Sequence, residues 1–289
     1  MKTGLVMEGG AMRGMFTCGV IDVLMENGIT FDGAGGISAG AVFGCNFKSG
    51  QIGRPIRYNK RYCRDKRYKS LHSLLTTGDL YGVDFCYREL PDLLDVFDRQ
   101  AFSDNPLPFY VGATDVDTGK IVYHRCMDGG DEDMQWMRAS ASMPLVSRVV
   151  EIDGHRLLDG GVVEPTPYFY MKKLGYDRCV VILTQPETYR KKKSAVLPLI
   201  RLALKKYPRL ADAMEQRPER YNAHIAAIHE EEKKGNCLVI CPPEALPIQR
   251  TENDPEKLEQ AYQIGRAESM RKMTDIQCFL QDYDKQKQE

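Results

Sequence analysis

No stretch of this 289-residue chain approaches the roughly 20 consecutive apolar residues that a membrane-spanning helix needs. Its start offers only Leu5–Met7 before two glycines, which is not the hydrophobic run of a signal peptide. Net charge is also lacking, because 40 basic residues balance 40 acidic ones, so only local charge can point to a partner. The nine cysteines are scattered and odd in number, which argues against a secreted disulfide framework and fits a reducing cytoplasm. There is no C-x-x-C pair, and no metal site or cofactor is expected. Cys237 and Cys241, the closest pair, read as the two ends of one buried strand. Internal repeats and low-complexity linkers are missing too. Neither G-x-G-x-x-G nor a Walker lysine-serine pair occurs, which disfavours nucleotide binding.

What is present is an interleaving of strands and helices with 43% apolar residues, enough for a large core. The pattern predicts a strand at 3–7, a helix at 13–27, a strand at 33–37 and a helix at 39–48. A hairpin is expected at 108–124, a helix at 131–140, two short strands around Asp153-Gly154 and an apolar strand at 179–184. Beyond 190 the chain reads as mostly helical, apart from a strand at 237–241. The expected class is α/β, a three-layer sandwich with a mostly parallel central sheet. Residues 1–190 would form the main domain, and 191–289 a mostly helical annex packed on it.

Two glycine-rich turns carry the chemistry. "GISAG", with Gly36 and Gly40 around Ser38, follows an extended segment and precedes a helix, which is the context of a nucleophile elbow. Small residues let strand and helix approach while the serine hydroxyl points outward. The same letters also fit a loop in which Ser38 merely caps a helix. The turn Gly9-Gly10-Ala11 opens another helix and leaves amides free for an anion. If the first two strands are parallel neighbours, both turns face one pocket. A serine so early in the chain does not fit the usual α/β-hydrolase order, so a triad histidine is doubtful among His72, His124, His155, His224 and His229. A buried carboxylate can serve as base instead. "DGG" occurs at Asp128 and at Asp159; the first reads as a helix cap, and the second ends a strand where a catalytic or a turn-forming aspartate would both fit.

"EGGAMRG", "GISAG", "ASASMP" and "DGG", in this order over at least residues 3–185, resemble the patatin-like phospholipase family, especially its bacterial members with an E-G-G-G-M-R-G opening. The resemblance implies a Ser–Asp dyad, with Ser38 as nucleophile and Asp159 as base and later acid. It places the oxyanion hole on Gly9, Gly10 and Ala11, with Arg13 beside it. Two departures stand out. Ala11 replaces a glycine, which would be strained if the turn needs a positive φ, and "VVEPTP" follows the DGG where Asn/Asp-x-Pro is usual.

Two basic segments could meet the substrate. Residues 54–69 hold eight Lys/Arg against one Asp, with three tyrosines that would pack inward if the segment is an ordinary solvated helix. Residues 191–210 read as an amphipathic helix with Val196, Leu197, Ile200, Ala203, Leu204 and Tyr207 on one face, either packed on the sheet or lying at a membrane surface. A helix at 209–234 reads as solvated and carries His224 and His229. The expected activity is acyl-ester hydrolysis of a lipid or phospholipid through an acyl-serine, in the cytoplasm with peripheral contact at the inner membrane face. An acyltransferase on the same dyad and a non-catalytic lipid- or phosphate-binding module are the alternatives. Neutral net charge counts against nucleic acid, and the residues do not indicate an oligomeric state.

Overall fold

The computed structural model describes residues 2–193 and 195–285; residues 1, 194 and 286–289 of the expected domains lie outside the described residues. Its strands are β1 (Lys2–Met7), β2 (Gly33–Ile37), β3 (Phe109–Asp115), β4 (Lys120–Cys126), β5 (Val150–Ile152), β6 (His155–Asp159), β7 (Tyr176–Ile182) and β8 (Cys237–Ile240). They form one sheet in the order β5-β6-β3-β2-β1-β7-β8, with β4 paired to the other edge of β3. The β8-β7-β1-β2-β3 stretch is parallel, and β4, β5 and β6 add antiparallel pairs.

The helices are α1 (Gly14–Glu26), α2 (Ala39–Val42), α3 (Cys45–Ser49), α4 (Arg54–Tyr62), α5 (Leu71–Thr77), α6 (Arg99–Asp104), α7 (Asp131–Ala141), α8 (Tyr168–Lys173), α9 (Leu197–Ala203), α10 (Pro208–Lys233), α11 (Pro255–Arg271) and α12 (Met273–Lys285). A wide π-helical segment spans Phe85–Leu94 and contains Pro91. Leu5, Met7, Val180 and Ile182 meet α1 residues such as Phe16 and Val20 on one face of the sheet. On the other, Val6, Cys179, Val181 and Val239 meet Tyr168 and Met171 of α8 and Ile225 and Ile228 of α10. Continuous apolar runs in the central strands follow from this double cover.

The region after 190 is woven into the core. β8 extends the parallel sheet beyond β7. α11 crosses α1 so closely that a Cβ at Gly19 would lie 2.1 Å from the Tyr262 carbonyl oxygen, and one at Gly265 2.1 Å from that of Phe16. α1 is consequently buried from Gly14 to Leu24.

Several predicted elements change. The 39–48 helix is two short helices, α2 and α3, interrupted at Phe43-Gly44, where a Cβ on Gly44 would lie 2.5 Å from Met7 Sδ. The 54–69 helix stops at Tyr62. Its positive face is largely neutralised: Arg57 pairs with Asp95, Lys60 with Glu259, and Arg67 with Asp65 and Glu89. Tyr58, Tyr62 and Tyr68 pack inward as expected. The 191–210 segment keeps only the short α9; Leu204 is buried and Ile200 and Tyr207 pack beside it, whereas Val196, Leu199 and Leu202 are exposed. The 209–234 helix, now α10, is not a solvated one: Leu210, Ala213, Tyr221, Ile225 and Ile228 bury one face. No helix among the described residues is long and apolar enough to cross a membrane.

Candidate active site

β1 and β2 are parallel neighbours with Met7 opposite Gly36, so the turns that follow them lie side by side. The edge of β3 that carries β2 at Gly112 carries β6 at Ala113. β2 and β6 run toward each other along that edge, and their C-terminal ends meet. Ser38 follows the last residue of β2, and Asp159 ends β6. Residues 121 positions apart are thereby brought into contact.

Ser38 is buried and holds φ 54°, ψ −118°, a left-handed backbone that a non-glycine residue rarely adopts. The glycines make this turn sterically feasible. A Cβ at Gly36 would sit 2.0 Å from the Gly40 carbonyl oxygen, and one at Gly40 2.3 Å from that of Met7. Ser38 donates from Oγ to Asp159 Oδ2 at 2.8 Å. Its amide donates to Ser140 Oγ at 2.8 Å, and that hydroxyl donates to the Gly112 carbonyl at 2.6 Å. Asp159 Oδ1 accepts from the Gly161 amide at 2.7 Å, and its main chain is tied to Ser142 and Thr114. Ser140 and Ser142 belong to "ASASMP", so that motif holds both partners of the contact in place.

Burial pushes the Asp159 carboxyl above its ordinary 3.8; Arg217 opposes this most among its neighbours. Arg217 itself donates from Nε to the Gly161 carbonyl at 2.7 Å. Neither alternative base is near: Asp128 Oδ1 binds the Gly130 amide, and His155 pairs with Asp115. Among the described residues no histidine lines either cavity that reaches Ser38. His224, placed on a solvated face by the sequence, is hydrogen-bonded to Thr166, and burial pushes its imidazole down to about 4.

In the opening turn, a Cβ on Gly9 would lie 3.0 Å from that of Ser38, and one on Gly10 2.6 Å from Thr184 Oγ1. The Gly9 amide donates to the Pro165 carbonyl at 3.1 Å. The Gly10 and Ala11 amides have no backbone partner among the described residues, and both residues line the cavity beside Ser38. Ala11 has φ 50°, the positive value that its departure from glycine raised as a concern. Ala11→Gly is expected to stabilise the fold by about 1 kcal/mol, read as a higher Tm; an unchanged or lower Tm would show that no strain is stored there.

Ser38, Ala11 and Met143 stand between two cavities. One is largely apolar, about 1040 Å³ counting its mouth, with walls from Met12, Val42, Phe43, Tyr58, Leu90 and Met137. The other, about 890 Å³, contains Asp159 and four cations, Arg13, Lys191, Arg217 and Arg250. Of these only Arg13 was singled out from sequence. Arg217 sits in the row 210, 213, 217, 221, 225, 228, an inward stripe that its charge disguises. Lys191 and Arg250 lie in irregular segments with no periodic signal.

Residues 5–171 match the family described as Patatin-like phospholipase, and residues 207–281 match a Domain of unknown function (DUF6363). The chain belongs to the patatin-like phospholipase family. It is 28% identical over 166 residues to an NTE family protein of Mycobacterium tuberculosis, covering 57% of this chain and 44% of that one. It is 29% identical over 184 residues to the Neuropathy target esterase sws of Drosophila melanogaster, covering 62% and 12% of the two chains. It is 29% identical over 185 residues to the Lysophospholipase nte1 of Emericella nidulans, covering 60% and 11%. The chain thus spans less than half the length of these relatives. Among solved structures, VipD of Legionella pneumophila aligns over 93% of this chain and 66% of its own, at 13% identity and a TM-score of 0.46.

Proposed function

We propose that this protein is a serine lipid acyl hydrolase working through the Ser38–Asp159 dyad. The observation that carries the reading is the buried 2.8 Å contact between those side chains at the junction of an apolar and a cationic cavity. Asp159 Oδ2 takes the Ser38 proton as Oγ attacks the ester carbonyl carbon. The carbonyl oxygen becomes an oxyanion, held by the Gly10 and Ala11 amides with Arg13 nearby; one such donor is worth roughly 3–4 kcal/mol. Collapse breaks the ester C–O bond, and the leaving alkoxide takes the proton from Asp159. Water then gives its proton to Asp159 and attacks the acyl-serine, and the second collapse returns a proton to Ser38 Oγ with release of the fatty acid. The acyl chain occupies the apolar cavity. The family, and relatives named as a lysophospholipase and an esterase, support a lipid ester as substrate. Exposed Val196, Leu199 and Leu202, which follow Lys192 and Lys193 in the chain, support peripheral membrane contact.

A fluorophosphonate probe and a p-nitrophenyl ester test the reading. Labelling and turnover that vanish in Ser38→Ala support it; a folded protein with neither, with and without lipid vesicles, overturns it in favour of a binding module. The pH profile is a second check. Asp159 must be ionised to accept the proton, so kcat/KM falls on the acid side as pH drops through its raised pKa. Arg217 lowers that pKa, so Arg217→Gln is expected to move the acid limb to higher pH. A limb that stays put or moves down would show that another group sets it.

A further inference from the structure

Ser38 divides the two cavities unequally. Asp159 and Gly161 line the cationic cavity and are absent from the apolar one. The alcohol half of an ester must leave beside Asp159, because it takes its proton there. Resting on the hydrolase reading above, the alcohol half therefore lies among the cations while the acyl chain lies opposite.

Those cations lack direct carboxylate partners among the described residues. Neither Arg13, Lys191, Arg217 nor Arg250 takes part in an ion pair there. The two nearby carboxylates are already occupied. Glu8 accepts from the Thr184 amide and hydroxyl and from Tyr221 at 2.8 Å, and Asp159 from Ser38 and Gly161. The Arg13 Nε is buried with no hydrogen-bond partner. Lys191 Nζ rests 4.2 Å from the Tyr221 ring centroid. Burial and the like charges of Arg217 and Arg250 push Lys191 down to about 7. Four clustered cations without a direct carboxylate partner suit a compact anion with several acceptor oxygens. Arg190 and Lys192 continue the positive lining outward, beside Glu215 paired with Arg201 and Lys193 paired with Glu219, and this excess of positive charge disfavours a cationic group beyond that anion.

We propose that Arg13, Lys191, Arg217 and Arg250 form a subsite for a phosphate monoester on the leaving alcohol, so that the preferred substrates are acyl esters of glycerol phosphate without a cationic headgroup. Three of the four cations lie beyond the family match at 5–171, and Arg217 and Arg250 fall within the 207–281 domain of unknown function. That domain would then select the headgroup, by way of α10 and the segment before α11.

The test compares kcat/KM for 1-acyl-glycerol 3-phosphate, the phosphocholine ester and the uncharged monoacylglycerol, all with one acyl chain in one uncharged detergent. The phosphate monoester is expected to lead the phosphocholine by about tenfold or more, and Arg250→Gln and Lys191→Gln each to cut that ratio by about tenfold. Equal rates for the three, a choline preference, or a ratio unmoved in both variants would overturn the subsite. Acyl-coenzyme A is a further arm; its preference over the glycerol phosphate ester would assign the phosphate to a nucleotide and overturn the lipid assignment. Glycerol 3-phosphate is also expected to raise the Tm of Ser38→Ala by several degrees, and no longer to do so once Arg250→Gln is added. No shift in Ser38→Ala would count against the subsite even if all turnover is lost. Ser38-dependent turnover without headgroup preference sinks this inference alone, whereas absence of Ser38-dependent turnover with any ester sinks the hydrolase reading.

Discussion

Asp159→Asn is expected to lower kcat by about 10⁴-fold while raising the melting temperature, because the group proposed as base is held in surroundings that disfavour its charge. The contact geometry survives the change: an Asn can still accept from the Gly161 amide through its carbonyl and donate to Ser38 Oγ. What is lost is the ability to take a proton. The stability sign follows from the raised pKa. A carboxyl whose folded pKa lies above its unfolded one supports the fold fully below the unfolded pKa, and that support is lost as pH rises through the folded pKa. At neutral pH the ionised Asp159 therefore weakens the fold, and Asn removes that burden. The gain in Tm, roughly 2 °C for each kcal/mol, should shrink as the solution is acidified toward pH 4. Ser38→Ala should abolish turnover more completely, by about 10⁶-fold. Substantial hydrolysis by Asp159→Asn would show that another base activates Ser38; a lower Tm at neutral pH would show that its charge is well solvated.

Gly40→Ala is expected to be among the most damaging single methyl groups that could be added to the chain. The added carbon would meet the Met7 main-chain oxygen at 2.3 Å, and backbone cannot rotate away as a side chain can. Separating them by about 1 Å means pushing α2 off β1, at a cost of 3 kcal/mol or more. The expected results are a Tm lowered by about 6 °C or more and activity lost beyond the unfolded fraction, since Ser38 moves with the turn. Gly36→Ala, aimed at the Gly40 carbonyl at 2.0 Å, should behave alike. A stable, fully active Gly40→Ala enzyme would show that the turn can open without disturbing the serine.

Much of this was legible because close approach leaves a compositional mark. Gly36 and Gly40 lie where main chains nearly touch, and a nucleophile on a bend needs them in any such fold. The strand at 33–37 was read to the residue, and the parallel sheet followed from apolar runs on β1 and β7. Helix continuity was less legible. Positions 39–48 carry no proline, yet the helix breaks at Phe43-Gly44, where a side chain at 44 would meet Met7 Sδ at 2.5 Å, a crowding that the local sequence does not contain. α10 was misread for a related reason. Its inward stripe contains Arg217, and a charge on an apolar face looks like solvent until the cavity it enters is known.

By itself the sequence determined the chemistry on offer: a serine in a bend too tight for larger neighbours, free amides at a helix start, a strand-ending aspartate and the family to which these belong. Only the tertiary structure decided which groups meet. β2 and β6 converge head to head on one edge of β3, so a hydroxyl and a carboxyl from distant segments touch, and α10 carries cations to the same cavity. The division has one physical cause. Tight turns are governed by forces within a few residues, which composition records, whereas pairing across a sheet is governed by how the whole core packs, which no local stretch contains.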